Sequence, residues 1–397
     1  MKNKMNILFF LHRYPNYGGT EKVTTCICNE LDSRGYKIHI ASLYQKSWEL
    51  MDELHPTIVF HKLAYPVLSI PNIKAIRNII NENKIDIIVN QWCLPFKTTI
   101  LLKLASIGLK VKVISVLHGS PDVNMRIIGF KRSYDRSGFI LKPLYKILIW
   151  AANAFTALNL RLTYNFSDKY ILLSDRFSET FKKMCKLYKA SKLTSITNPL
   201  TIENTLSEDI LLQQKKNEIL YVGRMDLLNK NVDRIIVVWK DLYKKFPDWK
   251  LVLVGDGPDR NYLEKLAIEN EIENIDFMGF LKEEPIEFYK RASIFMLTSD
   301  LEGFGLVITE AMSFGCVPVV YASYPAVYDI IEDGISGFIT PAPYDAEITK
   351  LRVINLIEDN DMRRSMSASA IRRSECFLVS NIADKWENLL KEIFYNK

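Results

Sequence analysis

The fold is decided by SIFMLTSDLEGFGLVITEAMSFGCVPVVYA, residues 293–322. SIFMLTS (293–299) is an apolar run of strand length. Gly303-Phe304-Gly305 is a tight loop. LVITEAMSF (306–314) has helical character and stops at Gly315, and CVPVVYA (316–322) is again a strand. Strand, short loop, helix and strand form a βαβ unit, which requires a parallel sheet covered by helices. The same stretch carries two carboxylates in different settings, Glu302 in the loop and Glu310 inside the helix.

The pattern continues on both sides. EILYVGR (218–224), WKLVLVGDGP (249–258) and IDFMGF (275–280) are further strands separated by helical segments. An independent series runs through MNILFFL (5–11), KIHIASL (37–43), IDIIVN (85–90), VKVISVL (111–117) and KYILLS (169–174), with helices over 20–35, 72–83 and 96–107. The reading is α/β with two doubly wound, Rossmann-like domains, 1–198 and 199–376. A C-terminal amphipathic helix in 377–397, with Trp386, Leu389, Leu390 and Phe394 at helical spacing, is expected to pack back across the domains. In open α/β sheets ligands sit beyond the C-terminal strand ends, so the chemistry is expected at those ends, in a central cleft faced by both domains.

A hydrophobic content of 48% with 25% charged residues is that of an ordinary soluble globular chain. Six cysteines show no CxxC pair and no His/Cys ligand spacing. That argues against a zinc site or a disulfide framework and fits a cytoplasmic protein. No run of about 18 apolar residues is free of charge, so no membrane span is expected. The formal net charge of +6 is unevenly spread, with residues 1–200 at +16 and residues 201–397 at −10. Such asymmetry points to an anionic partner for the first half, nucleic acid or lipid.

Gly18-Gly19 precede a helix, where the bare backbone and the helix N-terminus favour an anion, although a plain turn capped by Thr20 reads equally naturally. His118 follows a strand, in either a structural or a cleft-facing role. Arg224 and Lys230, close to another strand end, suit a diphosphate if they converge. Gly255-Asp256-Gly257 is a strand-to-helix turn that either admits a flat base or simply turns the chain. The amides of 304–306 open the helix that carries Glu310. Acids placed as differently as Glu302 and Glu310 fit two ends of one extended ligand better than the two sides of one scissile bond.

The order GGTE, LHG, YVGRM…NK, LVGDGP, FMGF, LEGFGLVITEAMSFGCVPVV and DGISGF resembles the retaining GT-B glycosyltransferases of family 4 (group 1 type), over roughly residues 5–345. The resemblance implies an acceptor-binding first domain and a second domain that binds a nucleotide-sugar, commonly a UDP-sugar. Arg224 and Lys230 would neutralise the diphosphate. Glu302 would hold the donor sugar and Glu310 the ribose, with Gly303, Phe304, Gly305 and Leu306 at phosphate and sugar. Gly279 and Phe280 would meet the base, Gly18 and Gly19 would close over the phosphates, and His118 would lie at the sugar with Glu302 in the catalytic role. No metal or other cofactor is expected, the nucleotide-sugar being a co-substrate. Two departures stand out. The segment between Met225 and Lys230 (DLLN) is one residue longer than the common pattern, and Ala326 or Val327 stands where a glutamate often follows the proline.

The resemblance also favours a glycan or lipid-linked acceptor, and hence an anionic membrane surface rather than nucleic acid for the basic half. FKRSYDRSGFILKPLYKILIW (130–150) mixes five cations with Phe139, Ile140, Leu144, Leu148 and Trp150. It reads either as a helix lying in the interface or as one packed on its own domain. The expected protein is a cytoplasmic glycosyltransferase of surface polysaccharide synthesis, peripheral on the inner face of the plasma membrane. A nucleotide-sugar epimerase and a non-enzymatic nucleotide-sugar-binding protein are the rivals.

Overall fold

Two open, wholly parallel sheets organise the chain. The computed structural model describes residues 5–395. One unit takes the chain up to Thr201 together with the segment from Val379; the other spans Ile202–Leu378.

The first sheet has seven strands: β1 (Asn6–Arg13), β2 (Lys37–Tyr44), β3 (Val59–Lys62), β4 (Ile87–Asn90), β5 (Lys112–Leu117), β6 (Lys169–Leu172) and β7 (Leu193–Ser195), in the order β3-β2-β1-β4-β5-β6-β7. In β1, an interior strand, Ile7, Leu8, Phe9 and Phe10 are fully buried. A parallel strand covered on both faces reads as a continuous apolar run, and NILFF does. Successive side chains serve opposite faces. Leu8 and Phe10 join a core with Ile76, Ile80 and Leu101 from the helices Ile70–Glu82 and Phe96–Ser106. Phe9 meets Trp386 of the C-terminal helix Val379–Tyr395, ring centroids 6.3 Å apart. That helix is pinned within the first unit by Arg34, which donates to Asp384 at 2.5 Å and Glu387 at 3.3 Å, and by the Tyr36 hydroxyl, which donates to Glu387 at 2.9 Å. Ile393 rather than Phe394 fills its last core position.

The second sheet has six strands: β8 (Lys216–Val222), β9 (Lys250–Val254), β10 (Ile275–Gly279), β11 (Ala292–Leu297), β12 (Val317–Tyr321) and β13 (Phe338–Thr340), in the order β10-β9-β8-β11-β12-β13. All six residues of β11, the strand that opens the βαβ unit, are buried.

Two sequence expectations fail here. The strands β3, β7 and β13 were not anticipated. Each is three or four residues long and lies at a sheet edge, too short to show a period. The segment 130–150 is two helices, Met125–Arg136 and Lys142–Phe166, with a break at 137–141. Pro143 lies in the first turn of the second helix, where its missing N–H costs nothing, so it starts the helix rather than interrupting it. Among the described residues no helix is long and apolar enough to cross a membrane.

Candidate active site

In the second sheet the chain leaves β8 on one side for β9 and β10, then returns to β11 on the other. The C-terminal ends of β8 and β11 flank that switch point, where open α/β sheets form their binding crevice. Two loops meet there. The Lys230 ammonium donates to Glu302 Oε1 at 2.5 Å, and both side chains are largely buried. The backbone around them is stitched together by Asp300 N to Asn229 O (2.7 Å), Thr298 Oγ1 to Asn231 O (3.0 Å) and the Arg234 guanidinium to Thr298 O (2.9 Å). The longer DLLN segment is absorbed in a turn. Asp226 Oδ1 accepts from Asn229 N at 2.7 Å, and Asn231, in the left-handed region at φ 47°, opens the helix Val232–Lys240. Lys230 is thereby delivered to Glu302 despite the extra residue.

Arg224 behaves differently. Its side chain is two-thirds exposed, with Nε 3.8 Å from Asp226. What is fixed is its loop. A Cβ on Gly255 would lie 1.9 Å from Gly223 O, and one on Gly257 would lie 2.2 Å from Met225 O. The two glycines therefore let the 255–257 turn press against the loop that carries Arg224, which gives the GDG turn a packing role.

At the end of β11, Phe304 turns its ring inward against Phe377 (centroids 5.5 Å), leaving its backbone at the site. Gly305 takes φ 94° and caps the helix Leu306–Ser313. The helix's first hydrogen bond is from Ile308 N to Gly305 O at 2.9 Å, so the amides ahead of it point out of the N-terminus. Glu310, one turn on, is buried and accepts from the Tyr289 hydroxyl at 2.9 Å. Gly279, at φ 76°, ends β10, and the ring of Phe280 beside it is 60% exposed.

Sequence reasoning missed Tyr324. It is 3% exposed, its hydroxyl has no hydrogen-bond partner, and that hydroxyl lies 2.7 Å from where a Cβ on Gly305 would stand. Burial, and then the Glu302 charge, push its phenol pKa well up. It therefore stays a neutral donor beside Glu302. No motif marks SYP as such a site.

Gly18, Gly19 and His118 belong to the first unit. Gly18 is the extended N-cap of the helix Gly19–Ser33, which places Thr20 inside the first turn rather than at the cap. His118, just beyond β5, shares a hydrogen bond of 2.5 Å between its Nε2 and Gln91 Oε1, just beyond β4. Burial lowers its pKa to about 4, so the ring is neutral at physiological pH. Among the described residues no three His, Cys, Asp or Glu side chains group closely enough to hold a metal ion.

The model for glycosyl transferases group 1 matches residues 203–373, and that for Glycosyltransferase Family 4 matches 17–204. The chain is a group 1 glycosyltransferase of GT-B fold. It is 28% identical to an uncharacterized glycosyltransferase of Haemophilus influenzae, over 96% of this chain and 99% of that one. It is 26% identical to the GalNAc-alpha-(1->4)-GalNAc-alpha-(1->3)-diNAcBac-PP-undecaprenol alpha-1,4-N-acetyl-D-galactosaminyltransferase of Campylobacter jejuni, over 95% of this chain and 96% of that one. Among solved structures it shares its fold with Anabaena Alr3699/HepE in complex with UDP, at a TM-score of 0.73 and 19% identity, covering 98% of this chain and 100% of that one. The glycosyltransferase thus carries its Lys230–Glu302 pair, its Gly305 helix start and its buried Glu310 on the unit matched by the group 1 model.

Proposed function

We propose that this glycosyltransferase moves a hexose-type sugar from a UDP-sugar to a glycan or lipid-linked acceptor in surface polysaccharide synthesis, with retention at the anomeric carbon and without a metal. The observation that carries the reading is the Lys230–Glu302 pair beside the exposed amides of the Gly305 helix start. Lys230, Arg224 and those amides place positive charge where a leaving diphosphate gains negative charge. In such a site, stabilising the leaving group is the main catalytic lever. Glu302 takes sugar hydroxyls, the Tyr324 hydroxyl donates to the sugar or the neighbouring phosphate, and Glu310, oriented by Tyr289, takes the ribose. Phe280 offers its exposed ring to the base. His118, held neutral and oriented by Gln91, contributes a hydrogen bond at the reacting sugar rather than a proton. Gly18-Gly19 supply backbone to the phosphates.

The UDP in the complex of the HepE fold neighbour supports the donor class, and the undecaprenol-linked acceptor in the Campylobacter relative's name supports the acceptor class. The break between the two helices of the first unit supports a place on the cytoplasmic face of an anionic membrane. There Phe139 is 91% exposed and Ile140 88%, and Trp150 on the helix that follows is 72% exposed, with Lys131, Arg136, Lys142 and Lys146 flanking. Apolar side chains ringed by cations match an anionic bilayer surface.

A thermal-shift screen of UDP- and GDP-sugars identifies the donor, since a ligand at 100 times its Kd stabilises by about 2.7 kcal/mol. Incubating that donor with polyprenyl-diphosphate glycans and reading the anomeric proton coupling of the product by NMR then tests the reaction. An inverted product contradicts retention, and donor isomerisation without acceptor favours the epimerase.

A further inference from the structure

The first unit holds a second concentration of chemistry at the C-terminal end of its sheet, and the donor reading does not use it. A cavity of about 330 Å³ is lined by His12, Arg13, Asn16, Tyr44, Lys46 and Tyr65. It stands beside the first sheet's own switch point, because β1 ends at Arg13 and its neighbours β2 and β4 lie on opposite sides. The His12 ring bridges that point. It stacks on Trp92, just after β4, with centroids 3.8 Å apart and planes 13° from parallel, and its Nε2 hydrogen-bonds the Tyr65 hydroxyl.

The walls combine aromatic faces with cations. Tyr44 and Tyr65 are 42% and 53% exposed, and the Arg13 guanidinium lies over the Tyr44 ring, 5.8 Å from its centroid. Among the described residues neither Arg13 nor Lys46 has a carboxylate within ion-pair distance. Glu21, an acid that feels the Arg13 charge, is hydrogen-bonded by Asn16 and folded over Gly18. Burial, and then the Arg13 charge, lower the pKa of His12, so it presents a neutral ring. Flat aromatic faces suit a sugar ring, and a guanidinium with an ammonium suits an oxyanion attached to it. The volume is at the small end of ligand sites, about 300–1,000 Å³.

We propose that this cavity is the acceptor subsite and that it selects a sugar bearing an anionic group, a phosphate or a carboxylate, with Arg13 and Lys46 on the anion and Tyr44 and Tyr65 along the ring. The inference rests on the glycosyltransferase reading but not on its donor residues. It is tested with methyl α-glucoside, methyl α-glucuronide and glucose 1-phosphate as probes, followed by saturation-transfer NMR with and without saturating UDP. The acidic probes are expected to bind about tenfold more tightly than the neutral one, the worth of one charge-assisted contact. The preference between carboxylate and phosphate separates an acidic sugar from a sugar phosphate. Arg13 and Lys46 are both exposed, so R13A/K46A folds, and it should bring all three probes to the same affinity while UDP binding is unchanged. Equal binding of the neutral probe to the wild type, or acidic-probe binding that survives R13A/K46A, would overturn the proposal. UDP titrated in the same samples checks the donor reading separately, because failure of UDP to bind would remove that reading and leave the probe comparison intact.

Discussion

The two switch points of this glycosyltransferase are built in opposite ways. In the second unit most of the site is already paired and buried, with Arg224 the exposed exception: Lys230 is locked to Glu302, Glu310 is held by Tyr289, and loop glycines fix the backbone to within a methyl group. In the first unit Arg13, Lys46, Tyr44 and Tyr65 stand open to solvent around a cavity. The difference teaches a division of labour. A site that must stabilise a developing charge needs preorganised, desolvated groups. A site that only has to hold an acceptor, the role proposed for the first unit's cavity, can leave its cations solvated.

The comparison predicts that single substitutions in the second unit cost far more than those in the first. The largest effect is expected for Lys230→Ala, which leaves the Glu302 carboxylate buried without its partner and, on the proposed donor reading, takes a cation from the diphosphate. Breaking a buried pair costs about 3–5 kcal/mol. UDP affinity measured by calorimetry should fall at least a hundredfold, and a variant that bound UDP normally would erase the contrast. Gly255→Ala should also be severe, since its Cβ would lie 1.9 Å from Gly223 O at φ 133°. Loss of donor binding together with a lowered melting temperature is the expected pair of readouts.

Tyr324→Phe sharpens the comparison, because it removes one oxygen from the preorganised site. A buried hydroxyl without a partner costs about 1–3 kcal/mol. The ligand-free variant should therefore melt at the wild-type temperature or above it, while kcat/KM falls roughly tenfold. A lower melting temperature with unchanged kinetics would make Tyr324 purely structural. The two glutamates should separate in the same kinetic assay. Glu310→Gln keeps an acceptor for Tyr289 and should mainly raise the donor KM, whereas Glu302→Gln should also lower kcat.

Smaller effects belong to the first unit. Phe139→Ser with Ile140→Ser should reduce sedimentation with phosphatidylglycerol vesicles and leave turnover of a soluble acceptor unchanged. For pH, burial depresses both His118 and His39 to about 4, against 6.5 when unfolded. Between pH 6.5 and 4 the unfolded chain binds more protons than the native one, so stability should fall as pH falls through that window. Activity that uses neutral His118 should show no inflection near 6.5 in a kcat profile.

Much of the second unit was legible in the sequence, because its glycines, its two glutamates and its apolar strands obey local rules of period and turn. Tyr324 was not, since its role comes from a loop that brings it to Gly305 from outside the βαβ unit. Nor was the packing role of Gly255-Asp256-Gly257, which depends on how closely a neighbouring loop approaches. The acceptor side was the least readable. His12 lies near the end of β1, whereas Tyr65 and Trp92 lie in the loops after β3 and β4, and only the sheet order β3-β2-β1-β4 brings them together. The edge strands β3, β7 and β13 were lost for the simpler reason that three or four residues hold no period.

The central claim is that the Lys230–Glu302 corner holds the diphosphate of a nucleotide-sugar. Calorimetric titration of UDP into the wild type and Lys230→Ala tests it most directly. Saturable binding by the wild type, lost by at least a hundredfold in the variant, is the predicted result. Equal UDP affinity in both proteins would contradict it.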